Sequence, residues 1–117
     1  VLDGRARGVF SGHVMVQQDA QKTDAQQMNN NLLLSDEAEV DTRPQLEIYA
    51  DDVKCSHGST VGQLNSDVLF YLRTRGIDEN EARRLLVTAF AQDVVSRMPA
   101  APVRAWAERL IATRLAR

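Results

Sequence analysis

Hydrophobic periodicity changes from two residues to about 3.6 near residue 65, and no other feature of this 117-residue chain restricts its fold as much. Before that point the apolar positions alternate. Phe10, Val14 and Val16 share one face of a strand expected from Arg7 to Val16, with Gly12 in the same register and Ser11 and His13 on the other face. The run Leu32-Leu33-Leu34 follows Asn29-Asn30-Asn31, Leu46 to Ala50 alternates again, and Val53 to His57 follows an Asp51-Asp52 corner. Strand centres thus recur at roughly 16–20 residues with Gly, Asn and Asp at the breaks. Apart from Asp3-Gly4, no two-residue hairpin signal joins them. Short strands with polar corners and no helix between them fit the stacked coils of a β-helix, and a small sandwich is the competing reading. The three Asn suit a stacked corner, where amides of successive coils bond one another.

After residue 65 the chain reads as helical. Asn65-Ser66-Asp67 offers N-caps to a helix over Val68–Arg75, and Gly76 supplies its left-handed stop. Asp78 caps a second helix, with Glu79 and Glu81 in the first turn, where the macrodipole favours anions. Its apolar stripe is Ala82, Leu85, Leu86, Ala89, Phe90, Val94 and Val95, and Met98-Pro99 ends it. A third helix runs from about Pro102 to Leu115, with Val103, Trp106, Ala107, Leu110, Ile111 and Leu115 on its apolar side. Two parts follow: residues 1–64, mainly β, and a helical subdomain over 65–117. The stripe Leu69, Phe70, Leu72, Leu85, Leu86 and Phe90 is expected to form the helical core first and to lend part of its surface to a partner. Trp106 is expected to pack in the core or at an interface.

Charge divides along the same line. Residues 1–64 hold 5 Lys+Arg against 10 Asp+Glu, and residues 65–117 hold 9 Arg against 6 Asp+Glu. This fits either two surfaces with different partners or ordinary helix surface, since Arg is a good helix former. No run approaches the roughly 18 apolar residues that span a bilayer, and no basic segment followed by an apolar one suggests secretion. A single Cys excludes an internal disulfide and fits a reducing compartment. The chain opens on Val-Leu-Asp-Gly without Met, as expected of a piece of a longer protein whose first strand edge is normally covered.

The chemistry-bearing segment is Asp51-Asp52-Val53-Lys54-Cys55-Ser56-His57-Gly58. Cys55 and His57 lie two apart on an expected strand, so both face the same way, roughly 7 Å apart at Cα. A thiol beside an imidazole is half of a metal site, and no second Cys exists here to complete it. The missing ligands would come from another chain. Cys55, in line with Val53, also suits a simple packing role. Asp51, Asp52 and Glu47 could offer oxygens, although paired Asp at a corner more often bond their own backbone. His13 has no partner type nearby and reads as surface.

These residues carry a resemblance. Leu2-Asp3-Gly4, Arg7-Gly8-Val9-Phe10-Ser11-Gly12, Asp19-Ala20-Gln21-Lys22-Thr23-Asp24-Ala25, Asn31 to Ser35, Ala38 to Gly58, Leu69-Phe70-Tyr71-Leu72-Arg73 and Arg75-Gly76-Ile77 are together similar to the SufB/SufD family, scaffold subunits of the SUF iron–sulfur cluster assembly machinery. The Lys54-Cys55-Ser56-His57-Gly58 stretch matches the SufD branch, since SufB typically has a His-Glu pair there; Ser59 and Asn65 are small departures, where Ala and Asp are common. The resemblance implies the last coils of a right-handed parallel β-helix followed by a helical subdomain. It also implies pairing with SufB through the coils and docking of the ATPase subunit SufC on the helices. A nascent iron–sulfur cluster, transient and shared with SufB, would use His57 as a ligand and Cys55 as a secondary one, with none held by the chain alone. Leu69, Phe70, Tyr71, Arg73, Arg75 and Phe90 would contribute to docking SufC, with Arg83 and Arg84 beside them. A cytoplasmic protein without catalytic residues is implied.

Two readings of a different class compete. Cys55 as nucleophile with His57 as base would make a thiol enzyme, although nothing in the sequence resembles an oxyanion hole. The segments around Gly76 could be a helix-turn-helix on nucleic acid, against which stands an overall negative chain without a basic stripe. Open strand edges in so short a β part lead to an expected homodimer, through the coils near Val53 to Val61.

Overall fold

The computed structural model describes residues 1–114. Four strands come first, β1 (Arg7–Val16), β2 (Asp24–Leu33), β3 (Glu39–Ile48) and β4 (Lys54–Gln63), then three helices, α1 (Ser66–Thr74), α2 (Glu79–Val95) and α3 (Ala101–Arg114). Four ten-residue strands stand against helices of nine, seventeen and fourteen residues. Strand and helix therefore take equal shares, and the expectation of a mainly β chain is corrected. The polar, capped second half is helical almost throughout, whereas corners take up much of the first. Two compact units are formed, one spanning Leu2–Gly62 and the other beginning at Gln63.

In the first unit consecutive strands never pair. β1 pairs with β3 in parallel, from Arg7 facing Glu39 to Val16 facing Ile48, and β2 pairs with β4. The chain thus alternates between two sheets, and each corner lies against the corner one circuit earlier. The Lys22 N–H donates to Asp52 O at 2.7 Å, Tyr49 N–H to Val16 O at 2.8 Å and Glu39 N–H to Ala6 O at 3.0 Å. Ser35 Oγ donates to Gly4 O at 2.5 Å. This pairing excludes a hairpin-built sandwich, whose neighbours would be antiparallel. Burial alternates along β1 as expected: Phe10, Gly12, Val14 and Val16 turn inward, and Val9 and Met15 lie exposed. Val16, Leu32, Ala38 and Ala50 are the buried apolar residues of this unit.

Two boundaries differ from the expectations. β3 begins at Glu39 rather than near Leu46, with Pro44 inside it facing Gly12. Proline removes a ladder donor, and β3 has one strand partner among the described residues, so the missing N–H is tolerable. β2 begins at Asp24, and the three Asn lie within it rather than at a corner. The Asn31 amide donates to Asn29 Oδ1 at 2.7 Å and across the sheet to Thr60 O at 3.1 Å, so these amides do bond, but along a strand.

In the helical unit the caps fall where the sequence puts them. Asn65 Oδ1 accepts from the N–H groups of Asp67 at 2.9 Å and Val68 at 3.2 Å, and Asp78 Oδ1 accepts from Asn80 at 2.9 Å and Glu81 at 3.2 Å. Gly76, at φ 86°, closes α1 with Gly76 N–H on Arg73 O at 3.0 Å and Ile77 N–H on Leu72 O at 3.3 Å. This is a Schellman stop, and half-buried Leu72 and Ile77 supply its apolar partners. α2 stops at Val95, short of Met98-Pro99.

The stripes are corrected. On α2 the buried residues are Ala82, Val87 and Val95, with Leu86 and Phe90 half-buried, while Leu85, Ala89 and Val94 are exposed. On α3 Ala107 is buried and Ile111 half-buried, whereas Val103, Trp106 and Leu110 are exposed. Leu115 lies outside the described residues. Trp106, at 58% exposure, is not core, and Phe70, at 69%, is not core either. An apolar stripe wider than one packed seam leaves its flanks in water when small residues such as Ala82 and Ala107 make the seam.

Candidate functional site

β2 and β4 build the candidate site. Their ladder starts with Lys54 N–H on Thr23 O at 2.9 Å, and Thr60 Oγ1 donates to Asn30 Oδ1 at 3.1 Å. A side chain added at Gly58 would meet Met28 Sδ at 3.2 Å. Gly58 thus lies beside Met28 and Thr60 beside Asn30, which sets Cys55 beside Ala25 and His57 beside Gln27 on the opposite face. Strand alternation places Cys55 and His57 together on that face, as their spacing requires. Cys55 is half-buried with a free thiol, and His57 is exposed at the edge of the unit.

Of the carboxylates considered as extra ligands, Asp52 and Glu47 are engaged elsewhere. Asp52 sits at the corner before β4, where its carboxylate pairs with Lys22 Nζ and its N–H donates to Gln21 Oε1 at 2.9 Å. Glu47 accepts from Tyr49 Oη at 3.2 Å and lies 3.2 Å from His13 Nε2. The expectation that His13 has no partner nearby is therefore corrected, because the turn of the chain brings β3 against β1 and places Glu47 within reach. Asp51 is exposed at the corner. Among the described residues no three His, Cys, Asp or Glu side chains gather as a metal set. Cys55 and His57 are thus two donors on one face, and a cluster held there would need donors from elsewhere. A pocket of about 230 Å³ at the same corner is lined by Lys22, Asp24, Asp52 and Lys54 among others, and is a feature of the corner rather than of the Cys55–His57 face.

The expected docking residues lie on α1, at its C-cap Arg75, and on α2. Phe70 and Tyr71 are exposed, and Leu69 and Phe90 are half-buried. The Arg75 guanidinium lies 5.2 Å from the centre of the Tyr71 ring and donates to Tyr71 Oη at 3.3 Å. Arg73 pairs with Glu79 at 3.3 Å, and Arg84 with Glu81 at 3.2 Å. Arg75 is thus held over the exposed Tyr71 ring, while Arg73 and Arg84 are held by acidic side chains of α2. Gln27, the neighbour of His57, carried no sequence signal, because polar residues line both faces of β2.

The first unit is built of parallel-paired strands and presents Cys55 and His57 on one face, and the capped helices after it leave aromatics exposed. The family model for the SufBD core domain, of SUF system FeS cluster assembly, matches residues 1–90, and the chain belongs to this family. It is similar to the iron–sulfur cluster assembly protein SufD of Escherichia coli, with 53% identity over 80% of this chain and 22% of that protein. It is similar to a SufBD family protein of Synechocystis, with 50% identity over 89% of this chain and 23% of that one. A chloroplastic Arabidopsis thaliana protein, ABCI7, is 43% identical over 89% of this chain and 22% of its own length. The chain spans less than a quarter of each of these relatives. No described helix is long and apolar enough to cross a membrane.

Proposed function

We propose that this chain is the C-terminal part of a SufD-type scaffold: the last coils of a right-handed parallel β-helix, with a helical subdomain over residues 65–117. In this reading it works in the cytoplasm, pairs with SufB through its coils, and docks the ATPase SufC on its helices. It catalyses no reaction of its own. The cluster is cargo, formed at the junction with SufB on donors from both chains, with His57 as this chain's principal ligand and Cys55 as the secondary one. A His ligand in place of a thiolate raises the potential of a cluster, and a scaffold must release what it builds. The observation that carries the reading is the pair itself, two soft donors on one face with no third ligand among the described residues.

Docking of SufC would use Leu69, Phe70, Tyr71, Arg73, Arg75 and Phe90. Alone, the chain would form a homodimer through its open strand edges near Val53 to Val61. The deciding experiment measures cluster content of the complete SufB–SufC–SufD complex, isolated anaerobically, with the SufD position as wild type, His57→Ala or Cys55→Ala. Loss of cluster from an assembled His57→Ala complex is the expected result. Unchanged content would leave His57 structural and the chain a docking subunit only.

A further inference from the structure

We propose that Gln27 is a positioning residue for His57: its side-chain oxygen accepts a hydrogen bond from the N–H of one imidazole nitrogen and leaves the lone pair of the other nitrogen free toward the cluster. This inference rests on the reading of His57 as a ligand.

Three observations converge. First, the β2–β4 ladder sets Gln27 beside His57 on one face, at the separation of neighbouring strands, about 4.8 Å. Second, Gln27 Oε1 is buried and has no donor among the described residues. A buried amide oxygen without a donor is costly, so a nearby N–H that can turn to it is favoured. Third, the opposite strand is cut away to hold this amide. Any Cβ at Gly12 would collide with Gln27 Nε2 and would come within 2.7 Å of the Phe10 ring. The glycine therefore keeps the amide inside the unit, where its oxygen is available to the adjacent rung.

Among the described residues the His57 ring makes no side-chain hydrogen bond or ion pair, so neither of its nitrogens is assigned. A neutral imidazole has one N–H and one lone pair, and a hydrogen bond to the N–H fixes which nitrogen is free to ligate. Thr42 Oγ1, a second buried oxygen without a partner, sits on β3 opposite Phe10. It can donate as well as accept, so it is less constrained than the amide oxygen and does not select a tautomer.

The test reads the tautomer directly, in the full-length protein without cluster, at mildly alkaline pH where imidazole is neutral. Histidine-selective 15N labelling and long-range 1H–15N correlation distinguish the two nitrogens, and His57→Ala assigns the signals by their loss. In wild type and in Gln27→Glu, which keeps an acceptor in place, one tautomer dominates. In Gln27→Met, of similar length without an acceptor, the tautomer ratio falls about tenfold, the worth of one hydrogen bond. Gln27→Leu serves as a second acceptor-free variant if Gln27→Met does not fold. An unchanged ratio in the acceptor-free protein, or a Gln27→Glu protein that behaves like it, overturns the proposal. The readout needs no cluster. A His57→Ala complex that retains its cluster would sink the ligand reading and leave the tautomer result standing.

Discussion

Lys22 and Asp52 are joined twice, once through the backbone, Lys22 N–H on Asp52 O at 2.7 Å, and once through the side chains, ammonium on carboxylate. The double link fastens the corner after β1 to the corner after β3, one circuit later. Lys22 adopts φ 66°, the left-handed region in which a Cβ is strained. The ion pair is largely exposed and contributes little, under about 1 kcal/mol, so the backbone bond is the main fastening. Lys22→Gly is therefore expected to be more stable than Lys22→Ala by about 1 kcal/mol, since glycine relieves the φ strain that Ala retains. Thermal unfolding midpoints of the two variants check this, and equal midpoints would remove the strain argument.

Gly12 and Gln27 make a coupled pair inside the coil. Gly12→Ala puts a methyl group where the Gln27 amide lies and is expected to cost about 1–3 kcal/mol by overpacking. Truncating Gln27 to Ala in the same protein should recover part of that loss, so the two effects will not add. Denaturant unfolding of the four proteins of the cycle gives the coupling. Strict additivity would mean that the amide does not occupy the notch.

Gly76 at the end of α1 and Gly62 in β4 give a comparison of two glycines with open space around them. Gly76 stands at φ 86° in a Schellman stop, whereas a Cβ at Gly62 meets nothing within 4 Å and its φ is outside the left-handed region. Gly76→Ala is expected to destabilise by about 1 kcal/mol and Gly62→Ala to be near neutral. Asp78→Ala, which strips the cap from Asn80 and Glu81, should also cost about 1 kcal/mol. A calorimetric ranking with Gly62→Ala as the most damaging of the three would contradict this account.

Those local devices were legible in the sequence because each acts within four residues: Asn65 and Asp78 as caps, Gly76 as stop, alternation along β1. What escaped depended on partners distant in sequence. β2 hides its alternation, since Gln27, Asn29 and Asn31 on one face and Gln26 and Asn30 on the other are all polar. Pro44 masks the start of β3 for the same reason that proline usually ends a strand. The Cys55–His57 pair was visible from spacing alone, but Gln27 became its neighbour only through the register of β4 on β2. Similarly, His13 found Glu47 only when β3 came to lie beside β1. On α2 and α3 the seam falls to Ala82, Val95 and Ala107, which the expected stripes contained, and to Val87, which they lacked, while Leu85, Val94, Val103, Trp106 and Leu110 of the same stripes lie exposed.

At Phe70 and Tyr71 the proposed docking of SufC can be separated from folding. Phe70 is 69% exposed and Tyr71 55%, so neither can contribute much to the packing of the helical unit, whereas Leu72, one residue on, is half-buried at the Schellman stop. A large aromatic in water stabilises nothing until a partner covers it, and aromatic and Arg side chains are the types that carry most binding energy once covered. Phe70→Ser is expected to change stability by less than about 0.5 kcal/mol, as for an exposed position, while weakening SufC binding by about tenfold or more. Leu72→Ala should show the opposite balance, lowering the unfolding midpoint first and binding only as a consequence. Calorimetric titration of SufC against the two folded variants, beside their melting curves, decides the matter. If Phe70→Ser binds SufC as wild type does, the exposed face of α1 is not the docking surface, and the Tyr71–Arg75 pair is left with only a local role in holding the end of that helix.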